Sequence, residues 1–298
     1  MSAATIAQTG EDALVRVLTQ NLPLGADVIA GAGDDCAMVK PLGKGWLQLL
    51  KTDCVVEGVH FLRDTPPGKV GWKAMARTIS DIAAMGGTPQ HALVTLLVPP
   101  DRKLSEIKKL YAGLKKCALR FGVSIVGGET SQAPLLAIVV SLTGKVKSAN
   151  CVRRDGATAG DQIFITGWLG GSRRGHHLNF KPRIAEAQWL VENFKPRAMM
   201  DLSDGLAKDL PRMAAASGVA FVIEEESLPR NKGCTAEQAW SDGEDYELLF
   251  AMPARTAERL ESQWRKYFSK VSLTRIGCFV KRGGGRTPSF KRGGWEHF

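Results

Sequence analysis

Short apolar runs separated by amphipathic segments recur along the whole chain, and the series is broken once, by the polar stretch "KSANCVRRDGATAGD" at residues 147–161. A strand-forming run has to find partner strands, and an amphipathic helix has to bury its apolar stripe, so this pattern restricts the fold to sheets covered by helices. Before the break, "WLQLLKTD", "HALVTLLVP", "VSIVGGE" and "LLAIVVSLTGKV" read as strands, and "EDALVRVL", "GWKAMARTISDIAAMG" and "LSEIKKLYAGLKKCALRFG" as helices. After it come strands at "QIFITG", "VAFVI", "DYELLFAM" and "VSLTRIGCFV", with helices at "DLSDGLAKDLPRMAAASG" and "ARTAERLESQWRKYF". The expectation is an α+β domain over residues 1–147 and a second domain over residues 148–298; 298 residues with 44% hydrophobic content suffice for two cores.

The formal charge of +10 suits an anionic partner, whether nucleic acid, a membrane surface or a small polyanion such as a nucleotide. No apolar run approaches the roughly 18 residues of a membrane span, and "MSAATIAQTGED" has neither the basic start nor the apolar core of a signal peptide, so a cytoplasmic protein is expected. The six cysteines are scattered without a C-x-x-C pair, which suits free thiols in a reducing compartment.

Carboxylates recur where a strand meets a turn or a helix: Asp34 and Asp35 in "GAGDDCAMV", Asp53 in "LLKTDCVVEG", Asp81 in "RTISDIAAMGG", Glu129 in "IVGGETS", and Asp201 and Asp204 in "MMDLSDGL". Each has a plainer role open to it. Asp34 and Asp35 could form a polar turn, Asp53 could end a strand, Asp81 could sit on the exposed side of a helix, and Ser203 or Asp204 could be an N-cap. Together they lie in or beside hydrophobic segments where an unpaired charge is expensive. A set made only of oxygen donors suits Mg²⁺ on substrate phosphates, whereas the five histidines show no zinc-ligand spacing. The glycine turns "VGGETS" and "TGWLGGS" are candidate phosphate cradles, though the chain has neither a P-loop nor a Rossmann glycine motif.

The ordered succession "GAGDDCAMV", "KTDCVVEGVHF", "ISDIAAMGG", "VGGETS", "VRRDGATAGDQIFITG", "DLSDGL", "DGEDYELLF" and terminal "GWEHF" resembles the thiamine-monophosphate kinase family. That family sits in the superfamily of aminoimidazole ribonucleotide synthetase, selenophosphate synthetase and HypE. The resemblance implies an α+β N-terminal domain that pairs with a partner subunit's, followed by a C-terminal α/β domain completing the nucleotide and substrate site. It implies Mg-dependent transfer of the ATP γ-phosphoryl group to thiamine monophosphate by a homodimer. Carried over by position, Asp35, Thr52, Asp53, Asp81, Glu129, Asp201 and Asp204 surround several Mg²⁺ ions, with Asp34 the lesser member of its pair. Gly127, Gly128, Arg154 and Ser203 match nucleotide contacts, and His60, Glu244 and Trp295 match thiamine-phosphate contacts. Asp53, Asp204 and Arg154 carry the catalytic role.

Four features depart from the family pattern: Glu129 stands for a usual Asp, Lys51 for a small hydroxyl residue, Asp242 for a usual Gly, and the segment after residue 172 is short. Two other readings remain. One is a superfamily member that activates a different acceptor. The other is an RNA-binding protein, suggested by net charge and by Lys281, Arg282, Arg286, Lys291 and Arg292 among glycines. The tail holds only these few basic residues, and nucleic acid is not the expected partner.

Overall fold

The computed structural model describes residues 26, 28–30, 34–40, 43–284, 290 and 293–295. The helix expected at "EDALVRVL", the glycines of "GAGDD", residues 296–298 of the terminal motif, and Arg286, Lys291 and Arg292 lie outside the described residues.

The first half contains β1 (Val28–Ala30), β2 (Ala37–Val39), β3 (Trp46–Val56), α1 (Pro67–Ala84), β4 (Thr88–Val98), α2 (Leu104–Phe121), β5 (Ser124–Gln132) and β6 (Ala137–Lys147). These strands form one sheet in the order β1-β2-β3-β6-β4-β5. All pairings are antiparallel except β4 with β5, which α2 connects as a parallel crossover. Strand alternation puts Leu49, Val94 and Val140 on the face that α1 and α2 cover with Ala74, Met75, Ile79, Leu110 and Leu114. The other face is open, with Leu50 41%, Leu93 50% and Val126 59% exposed.

The two helices meet along a seam that only glycine allows. A Cβ on Gly71 would lie 2.0 Å from the Leu110 carbonyl oxygen, and one on Gly113 would lie 2.0 Å from that of Gly68. Helix backbones can come this close only where neither carries a side chain at the crossing.

The second half contains β7 (Asp161–Thr166), α3 (Ile184–Asn193), β8 (Ala198–Asp201), α4 (Leu206–Ala216), β9 (Ala220–Ile223), α5 (Ala236–Ser241), β10 (Leu248–Pro253), α6 (Ala257–Tyr267) and β11 (Leu273–Val280). Its antiparallel sheet runs β8-β10-β7-β11-β9. Here both faces are covered. Ile163, Ile165 and Leu249 pack on Leu206, Leu210 and Met213 of α4. Phe164, Phe250 and Met252 pack on Leu190 of α3 and on Leu260 and Trp264 of α6. Double burial explains why "QIFIT" and "LLFAM" are apolar without alternation. The halves share cores, since Phe180 and Tyr246 join the first and Ala83 of α1 joins the third.

The strand read at "DYELLFAM" begins only at Leu248. Glu244 and Tyr246 have φ of +65° and +53°, and backbone that turns through the left-handed region cannot stay in a ladder. Their side chains instead face the cavity described below.

Candidate functional site

The site lies where the two halves meet. Alternation along β3 points Lys51 and Asp53 to the helix-covered side, α1 brings Asp81, the bend at 34–36 brings Asp35, and the end of β8 brings Asp201. Asp35, Asp81 and Asp201 are all buried, and each has a carboxylate oxygen within 4.8 Å of the other two. The exposed-side role for Asp81 is therefore excluded: it is 7% exposed.

Cationic side chains line the same wall. Lys51 Nζ is 2.9 Å from Asp81 Oδ1, Arg154 donates to Asp35 Oδ1 at 2.8 Å, and Arg77 Nη2 is 3.8 Å from Asp53 Oδ1. Even so, Asp35 Oδ2 is buried without a hydrogen-bond partner. Burial, reinforced by the Asp35 charge, pushes Asp201 up to about 7, although Ser80 of α1 hydrogen-bonds its carboxylate. Burial likewise holds Asp81 well above the usual carboxylate range, against the pull of Lys51, and burial with the Asp35 charge raises Asp34 to about 6. These are groups short of positive charge. A cluster made only of oxygen donors, carrying an orphaned carboxylate oxygen, fits a hard divalent cation such as Mg²⁺.

Beside this wall opens a cavity of about 460 Å³, lined from the first half by Val59, His60, Phe61 and Arg77 and from the second by Arg173, Ser203, Asp204, Glu244, Tyr246 and Trp295. His60 is fixed in a turn after β3, where its Nδ1 accepts from the Val56 amide at 3.1 Å. Glu244 pairs with the wholly buried Lys73 at 2.5 Å, and Lys73 also donates to the His60 carbonyl at 2.7 Å. Burial lowers Lys73 to about 8 despite that carboxylate. Trp295 is tied in by its amide to the Asp204 carbonyl at 2.9 Å and by Lys208 on its own carbonyl at 2.6 Å, with Arg173 5.0 Å over the ring. A frayed surface aromatic would have none of these ties.

The structure thus brings Asp35, Asp81 and Asp201 together, with Asp53 and Arg154 against them, and gathers His60, Ser203, Asp204, Glu244 and Trp295 around the cavity. Asp204 is ion-paired to Arg212 at 2.5 Å, and it is no N-cap: Gly205 caps α4, and Asp209 accepts from the Asp204 amide at 3.0 Å. Thr52 and Glu129 are not brought to this wall. Thr52 pairs with Ser141, Ser141 with Leu93, and Leu93 with Gly127, which sets Thr52 on the open face with Glu129 two residues beyond Gly127. Thr52 Oγ1 lies 3.0 Å from Ser141 Oγ, and Glu129 accepts from the Thr130 amide at 2.7 Å.

The two glycine turns also differ from expectation. "VGGE" is inside β5, not after it; a bulge at Ala92/Leu93 presses Gly128 so close that a Cβ would lie 1.8 Å from the Val94 carbonyl oxygen. In "TGWLGGS" the Gly170 and Gly171 amides are already committed to the carboxylates of Asp245 (3.1 Å) and Asp242 (2.7 Å), so they hold the loop rather than a phosphate. Sequence reasoning missed Lys73, Arg77, Arg173 and Tyr246. For two of these a signal exists: Lys73, Arg77 and Asp81 follow i, i+4, i+8 spacing along one helix and so share one face.

The chain is similar to known proteins along most of its length. The family AIR synthase related protein, N-terminal domain, matches residues 33–146, and AIR synthase related protein, C-terminal domain, matches residues 140–287. The thiamine-monophosphate kinase of Rhodopirellula baltica (strain DSM 10527 / NCIMB 13988 / SH1) is 37% identical over 94% of this chain and 90% of its own length. That of Aquifex aeolicus (strain VF5) is 34% identical over 89% of this chain and 92% of its own. The solved structure of AaThiL complexed with AMPPCP and TMP superposes with a TM-score of 0.84 at 31% identity, covering 100% of both chains.

Proposed function

We propose a phosphoryl-transfer mechanism for this chain, which belongs to the thiamine-monophosphate kinase family of AIR synthase-related proteins. It is an ATP-dependent kinase that converts thiamine monophosphate to thiamine diphosphate. The observation that carries the mechanism is the contiguity of a buried carboxylate wall and a cavity lined by Arg77, Asp204 and Trp295.

Asp35, Asp81 and Asp201, with Asp53 beside them, would hold Mg²⁺ on the ATP phosphates. When bound, Mg²⁺ supplies the positive charge that lets two polyanions approach. Arg154, anchored on Asp35, adds a fixed guanidinium for the nucleotide phosphates, and Ser203 and Asp204 frame the opening between donor and acceptor. His60, Glu244 and Trp295 hold the thiamine monophosphate, with Lys73 orienting Glu244. The acceptor phosphate, with a second pKa of about 6, is already ionised at pH 7, so no side chain has to remove a proton. The positioning of the two phosphates therefore carries the catalysis, by direct in-line transfer with no phosphoenzyme.

The open sheet face, with its exposed Leu50, Leu93 and Val126, supports pairing with a second copy. Thr52, Gly127, Gly128 and Glu129 on that face would then act across the homodimer interface. No helix among the described residues is long and apolar enough to cross a membrane.

The test is to incubate the purified protein with Mg-ATP and thiamine monophosphate, oxidise the products to thiochromes and separate mono- from diphosphate, with Asp53→Asn alongside. Wild type should make diphosphate, and Asp53→Asn should lose at least about a hundredfold in turnover while keeping the wild-type melting curve. Near-normal turnover in Asp53→Asn would remove that residue from the site. A phosphorylated protein on the reaction path would exclude direct transfer.

A further inference from the structure

One face of α1 runs from the acceptor cavity to the carboxylate wall. Lys73, Arg77 and Asp81 follow at four-residue steps, about 12 Å along the axis from first to last. The outer two have close partners: Lys73 holds Glu244 and the His60 carbonyl, and Asp81 holds Lys51. Arg77, midway, does not. Its Nε is buried with no hydrogen-bond partner, its contact with Asp53 is a long 3.8 Å, and its bond to the Cys54 carbonyl is 3.4 Å. It also lines the cavity, with Tyr246, Asp53 and Glu244 as its charged or polar surroundings. A guanidinium offers five donors in a planar fork, and one that leaves donors unused beside an open cavity is poised for an anionic ligand. The other cavity arginine, Arg173, is exposed and stacked over Trp295.

We propose that Arg77 is a catalytic residue that grips the phosphate of thiamine monophosphate and keeps hold of it as the γ-phosphoryl group arrives. This rests on the thiamine-monophosphate kinase reading and adds a residue to it. In the step, an ionised acceptor oxygen forms a bond to the γ-phosphorus while the bond from that phosphorus to the β–γ bridging oxygen breaks; the electron pair leaves with ADP, and no proton moves. Arg77 offsets the charge that gathers between the two phosphates, at the helix position lying between cavity and wall.

The experiment compares thiamine monophosphate with thiamine, which lacks the phosphate, by calorimetric titration into wild type, Arg77→Gln and Arg77→Lys without nucleotide, followed by steady-state kinetics. Wild type should prefer the monophosphate by about tenfold to a hundredfold. In Arg77→Gln that preference should vanish through weaker monophosphate binding, with thiamine binding unchanged and kcat falling as well. Arg77→Lys should recover part of the preference, and its thiamine binding reports directly whether the cavity remains folded. A preference undiminished in both variants would overturn the role of Arg77. If wild type itself binds neither ligand, the acceptor reading fails, and the assignment of Arg77 fails with it.

Discussion

Gly113→Ala tests whether the helix seam sets the geometry of the site from a distance. Gly113 is on α2 and touches neither cavity nor wall. A methyl there would lie 2.0 Å from the Gly68 carbonyl oxygen, and 2.8 Å and 3.0 Å from its C and Cα, all backbone atoms that cannot rotate away. Reaching even a tight contact of about 3.0 Å requires the helices to part by about 1 Å, at an overpacking cost of about 1–3 kcal/mol. Alanine's better helix propensity returns about 1 kcal/mol, so the net loss is about 0–2 kcal/mol, a fall in Tm of a few degrees. The effect on rate should be larger than that. The same displacement moves Lys73, Arg77, Ser80 and Asp81 together, and a misplacement of about 1 Å can cost about a hundredfold in an alignment-dependent reaction. The assay is kcat for diphosphate formation beside a thermal melt, with Leu119→Ala, 81% exposed on the same helix, as the control expected to change neither. Unchanged kcat in a variant whose Tm has dropped would refute the reasoning, because it would mean that α2 yields and α1 stays.

Lys51→Met removes the ammonium that Asp81 and Asp53 hold well above an ordinary lysine pKa, so the metal-free protein should melt lower by several degrees and recover on adding Mg²⁺; a melt that ignores both changes would contradict this. For pH dependence, Asp201 is raised from 3.8 to about 7, so the folded state holds a proton that the unfolded chain releases near pH 4. The metal-free protein is therefore favoured at low pH and should lose stability as pH rises from about 4 through 7, which melts at pH 5, 6.5 and 8 will read. By the same sign, Mg²⁺ binding at pH 6 should release more proton than at pH 8.5, checked by calorimetry in buffers of different ionisation enthalpy; equal proton release at both would contradict the raised value of Asp201.

Much of the architecture was legible because periodicity reports burial. β3, β4 and β6 alternate and have one open face, while β7 and β10 run apolar and are covered twice. What stayed hidden was short or held by neighbours: β8 has four residues, α5 has six, and the segment from Glu244 to Glu247 reads as strand yet is bent out of the ladder by two positive φ angles. Sequence order singled out the carboxylates as a group but not which of them the fold gathers, because a one-residue step within β3 separates Asp53 on the covered side from Thr52 on the open side. The cations were harder still. Lys73 and Arg77 look like ordinary solvated positions until α2 and the second half close over α1 and leave them inside.

A single helix, α1, carries Lys73, Arg77 and Asp81 from the cavity to the carboxylate wall and fixes their spacing. His60, Arg77, Asp53 and Asp81 all belong to the first half, whereas Asp201, Ser203, Asp204, Glu244 and Trp295 belong to the second. The interval between Arg77 and Asp81 is set by the helix itself, because four residues of α-helix are a rigid ruler of about 6 Å. The spacing along α1 is thus independent of how the halves meet, whereas the wall, which takes Asp201 from β8, is complete only when they do.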